Sequence, residues 1–232
     1  MKKSILLLLA LTLFFASDLY AHDKWVSKDA DGLVVKYGHE GKIDPYNPKY
    51  VKGAKAYDAS GKEIPVTIKP QKTRAILVPV QDPALVAIIY DSGAWVKTPS
   101  GWKNVSKREA KDVIQSDKGD THSKNLWQWN DRFSKPLGGK MELVPLKNPL
   151  LLKVGDTLLF QMLYDGKPLA GATVGAEGVG KDEMKTDPNG RAEIVIKKSG
   201  LNVVKATRKT LTPNDPDADV LLETANITFE VK

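Results

Sequence analysis

Three histidines and no cysteine set the chemistry open to this 232-residue chain: any metal it holds must be bound through nitrogen or oxygen. The histidines are His22, His39 and His122. His22 stands directly after Ala21 in "LYAHDKWV", where a leader would end. If the chain is cut between Ala21 and His22, the freed α-amine and Nδ1 of the same residue can close a six-membered chelate ring on one ion. His39, in "YGHEG", and His122, in "DTHS", would bring the nitrogen donors to four. Such nitrogen-rich sites suit Ni(II) or Cu(II), and imidazole also serves Co(II) and Zn(II). These groups bind only when neutral, so affinity should fall as pH drops through the ordinary values of ~7.7–8 for the amine and ~6.5 for imidazole. Asp23, Glu40 and Asp44 could add an oxygen ligand or orient an imidazole from behind. Each histidine also has an ordinary reading. His22 could belong to a frayed terminus, which the nearby Trp25 argues against because a buried ring would tether it. His39 could be a turn residue bonded to local backbone, and His122 a solvated loop residue.

These residues need elements to position them. Residues 1–21 carry Lys2 and Lys3, an apolar run from Ile5 to Ala16 and a terminal alanine, the layout of a cleaved secretory signal peptide. The run is shorter than the ~20 residues a membrane-spanning helix needs, so export to the periplasm is expected. From 22 to 98, segments such as "LVVKYGH", "EIPVTIKP" and "RAILVPV" alternate between turn signals, which predicts a first β-sandwich. Residues 99–137 lack alternation. Ser106 with Glu109 forms a capping-box pattern that predicts a short helix through Ser116, with a second helical turn between Thr121 and Phe133. In this partly helical excursion "DTHS" would be a loop folding back over the sheet rim that bears His39, and Trp95, Trp102, Trp127 and Trp129 would either wall a pocket or anchor the loop. From 138 to 232 strands return with turn signals about every ten residues, including Asp165-Gly166 and "DPNG" at 187–190. The expected class is all-β: two sandwich modules, the second immunoglobulin-like or transthyretin-like, joined by that excursion.

Composition removes several functions. Lys2, Lys3 and Asp18 account for +1 of the formal net charge of +7, leaving +6 on residues 22–232, with lysines scattered among acids instead of forming a nucleic-acid track. "GAEGVGKDE" lacks the strand-then-helix setting of a phosphate loop. No G-x-S-x-G and no H-E-x-x-H is present, so a hydrolytic triad or zincin site has no support.

The stretch "MELVPLKNPLLLKVGDTLLFQMLYDGKPLAGATVGA", leading into "KTDPNGRAEIVIKKSGLNVVKA", together with "AHDKWV" and "YGHEG", resembles the NikK-like periplasmic components associated with nickel and cobalt transporters. The resemblance covers nearly all of the chain after the leader. It implies a transthyretin-like or carboxypeptidase-regulatory-like C-terminal module and a role in metal uptake, with Ni(II) or Co(II) as cargo for a membrane transporter component. His22 and His39 occupy the matching motifs; His122 rests on chemistry alone. Two other functions use or ignore the same residues: a copper-dependent oxidase or oxygenase built on the N-terminal histidine chelate, and a structural or adhesive β-module without metal. The oligomeric state stays open.

Overall fold

The computed structural model describes residues 22–176 and 184–232. The expected leader at 1–21, and Gly178 and Gly180 of "GAEGVGKDE", lie outside them. The all-β expectation is met: alternating apolar residues form three sheets. The first has the order β1 (Asp23–Asp29), β2 (Gly32–His39), β7 (Ala75–Pro79), β6 (Val66–Pro70), with β3 (Lys42–Ile43) paired to β2. The second runs β14 (Thr173–Ala176), β16 (Gly200–Leu211), β17 (Val220–Val231), β10 (Gln115–Leu126), β8 (Leu85–Thr98), β4 (Val51–Tyr57), β5 (Glu63–Ile64), with β9 (Gly101–Lys103) on β8. The third joins β11 (Met141–Pro145), β12 (Thr157–Tyr164) and β13 (Lys167–Pro168), with β15 (Arg191–Val195) also on β12. Among the described residues no helix is long and apolar enough to cross a membrane.

The eight-stranded sheet is the middle layer, and its two faces are read from the register. Tyr90, Ile88 and Val86 of β8 pair with Thr121, Ser123 and Asn125 of β10, so all six share one face. That face packs on the first sheet through Val26, Leu33, Val35 and Leu77. Ile89 and Ala87 pair with His122 and Lys124 and look the other way. On that second face Ala225, Ile227 and Phe229 of β17 and Val204 and Ala206 of β16 pack against Leu143, Phe160, Met162 and Ile194 of the third sheet. Two sandwiches therefore share one sheet, and that sheet takes strands from all three segments, 22–98, 99–137 and 138–232.

Segment 99–137 departs from the partly helical expectation. The capping box exists, with Glu109 Oε2 accepting from the Ser106 N–H at 3.1 Å, but the turn it starts is only the 3-10 turn Lys107–Glu109. The Lys107 and Arg108 N–H groups donate to the Asp217 and Pro216 carbonyls, which ties that turn to the chain ahead of β17. Instead of a second helical turn from Thr121, the chain forms β10 and then the 3-10 turn Asp131–Ser134. β10 lies inside the sheet, antiparallel to β8 and parallel to β17. The tryptophans do not wall one pocket: Trp127 packs on the core under the first sheet, Trp129 on Phe133, and Trp102 is exposed.

Candidate metal centre

The β1–β2 register, Asp23 opposite Gly38, brings His22, just before β1, beside His39, the last residue of β2. Their rings stack with centroids 5.5 Å apart and planes 20° apart. The other side of His22 stacks on Tyr37 at 4.4 Å and 10°. Gly38 makes the close turn possible: its φ is +144°, and a Cβ there would sit 2.3 Å from the Lys42 carbonyl oxygen in β3. His39 thus ends a strand at a glycine-flanked hairpin, as the sequence suggests.

Asp44 follows β3, its N–H donating to the Tyr37 carbonyl at 2.9 Å. Its Oδ2 is 2.8 Å from Nε2 of His22. That contact fixes the ring by its Nε2. Asp23 is buried, with Oδ1 accepting from Lys205 Nζ of β16 at 2.6 Å and Oδ2 3.7 Å from His39 Nδ1. Glu40 turns away to pair with Lys198. Trp25, at 4% exposure, is buried in β1 two residues into the strand, so the segment bearing His22 is held down. Lys24 sends its Nζ over Tyr37 and Tyr90, 5.6 and 5.8 Å from the ring centroids, and burial pulls its ammonium down to about 8.

The donor set fits a late first-row divalent ion in kind: two imidazoles with carboxylates beside them. Stacked faces do not aim their nitrogens at one point, and among the described residues no three histidine or carboxylate side chains converge as a metal site would require. A third convergent donor would have to come from outside these side chains.

His122 is not brought to this site. The expected loop is the middle of β10, and the ring projects from the opposite face of the central sheet, where its Nε2 lies 3.2 Å from Asp120 Oδ2. Sequence reasoning passed over Tyr37 and Lys205. Tyr37 is two residues before His39 on a strand and so shares its face, a signal open to inspection; Lys205 reaches Asp23 across 182 residues and leaves no local trace.

A family model described as "Domain of unknown function (DUF4198)" matches residues 19–210. An uncharacterized protein of Haemophilus influenzae is 28% identical over 215 residues, which cover 91% of this chain and 91% of that protein. No solved structure matches the chain.

Proposed function

The chain belongs to the DUF4198 family, and we propose that it is a periplasmic metal-binding protein that captures Ni(II), or Co(II), and hands it to a membrane uptake transporter. In this reading residues 1–21 are removed on export. The new α-amine and Nδ1 of His22 chelate the ion, and His39 joins them after its ring turns out of the stack. The observation that carries the reading is the bond between His22 Nε2 and Asp44, because it occupies the nitrogen that the chelate does not use. Asp23, held by Lys205, stands ready to orient His39. The residues "AHDKWV" and "YGHEG", which resemble those of NikK-like transporter components, support cargo over catalysis. By the intrinsic order of stabilities Cu(II) would bind more tightly than Ni(II), so use of nickel rests on supply and geometry.

Calorimetry with NiCl₂ tests this on two proteins, one beginning at His22 and one with a single alanine before it. The first should bind with Kd below about 1 mM and the second at least roughly tenfold more weakly, since acylating the amine removes one ligand of the chelate. Equal binding by both would refute the chelate. Intact mass of the exported protein, read with its metal content, checks the cut and the cargo together.

A further inference from the structure

On the face of the central sheet away from His22, between β4, β8, β10 and the segment entering β11, lies a cavity of about 250 Å³. Ile89, Leu137, Met141 and Leu143 give it apolar walls, with Ile89 39% exposed at the opening. One end is polar, lined by His122, Lys124, Lys140 and Glu142. Its volume lies below the ~300–1,000 Å³ of sites for drug-sized ligands, so an occupant would be small.

The polar end is unevenly satisfied. Glu142 is saturated: its carboxylate accepts from the Leu137 N–H at 2.8 and 3.1 Å and from the Gly138 N–H at 3.0 Å, with Lys124 Nζ 2.7 Å away. Lys124 is not. It is 6% exposed, and beyond its ion pair with Glu142 its Nζ has no acceptor for its remaining N–H groups among the described residues. Burial accordingly lowers its pKa despite the carboxylate beside it. His122, 9% exposed, has its Nε2 near Asp120 but out of line for a hydrogen bond. Buried polar groups without partners are rare in folded proteins and costly. Lys140 pairs with Glu223 at the margin.

We propose that this cavity binds a small organic monocarboxylate with an apolar tail, the carboxylate accepting from Lys124 Nζ and His122 Nε2–H and the tail lying against Ile89, Leu137, Met141 and Leu143. Lys55, Lys124 and Lys140 line the cavity against one lining carboxylate, Glu142, with Glu223 paired to Lys140 and Asp120 beside His122 at its edge, so an anion finds ammonium donors in a largely apolar site. The site shares no residue with the His22 centre and stands or falls apart from it.

The test uses the protein beginning at His22, in EDTA so that no metal bridges the ligand. 3-Phenylpropionate is titrated by calorimetry, with 3-phenylpropionamide as the uncharged control. The acid should bind with Kd below about 1 mM, and the amide at least roughly tenfold more weakly, the scale of a lost hydrogen bond to a charged group. His122→Leu should weaken the acid by a similar factor. Ile89→Trp, at a part-exposed position where folding is not at risk, should abolish binding by filling the cavity. An amide that binds as well as the acid, an Ile89→Trp protein that still binds, or no binding of 3-phenylpropionate at all would each overturn the assignment.

Discussion

Asp44 has one task in the proposed chelate, to hold the His22 ring by Nε2. Asp44→Asn should therefore weaken Ni(II) binding about 10–100-fold, the usual cost of losing a group that orients a ligand, while His22→Ala should eliminate it; isothermal titration reads both. Lys24 gives a pH prediction. Its ammonium is held down to about 8 in the folded chain by burial, against an ordinary value of 10.5. Between those values the unfolded chain binds more protons, so stability from this group rises as pH goes from 8 to 10. Lys24→Met should flatten that rise in a series of urea midpoints. Above pH 10 the trend reverses, because burial pushes Tyr46 and Tyr57 up to about 12 and they keep protons that the unfolded chain gives away. At this scale the sequence is legible where contacts are local: His22, His39 and Asp44 lie within 22 positions of one another, and the β1–β2–β3 meander brings them together. His122 was misplaced, because a histidine among Asp, Thr and Ser reads as a loop.

β10 is the element that sequence patterning missed, and its composition explains why. Ser116, Asp117, Thr121, His122, Ser123, Lys124 and Asn125 are all buried, so neither face shows the apolar alternation that marks a strand. On the face toward the first sheet, Asn125 is bonded through both ends of its amide. Asn125 Oδ1 accepts from the Val26 N–H at 2.7 Å and its Nδ2 donates to the Val86 carbonyl, while Asn226 Nδ2 of β17 donates to the Lys24 carbonyl. These amides cap the edge of β1 that β2 leaves bare. Asn125→Ala should cost about 1–3 kcal/mol by stranding the Val26 N–H, seen in urea unfolding, and hydrogen exchange should show β1 opening more often. The bulge between Lys118 and Asp120 brings Gly119 so close to β17 that a Cβ would lie 1.6 Å from the Leu222 carbonyl oxygen. Gly119→Ala should destabilise by about 1–3 kcal/mol or more through overpacking. Strands of the outer sheets such as β7 and β12 alternate openly and are legible in the sequence.

The whole molecule is two sandwiches joined by a common sheet, which sequence could suggest only as two modules, because the pairings that join them are long-range. The five tryptophans all precede residue 138, so their fluorescence reports the first half of the chain while far-UV circular dichroism reports all strands. The two signals should unfold together in urea, since β8, β10 and β17 form one continuous ladder; separate midpoints would show the halves to be independent. Asn125 and Thr228, joined by a hydrogen bond across the parallel β10–β17 pair, are 103 residues apart in the chain. At ~5–20 residues per second of synthesis, that interval lasts on the order of 5–20 seconds. For that time the nascent chain has a central strand with one flank open to any stray partner. Delivery across a membrane before folding, with a chaperone in attendance, would keep this timing gap from becoming an aggregation route.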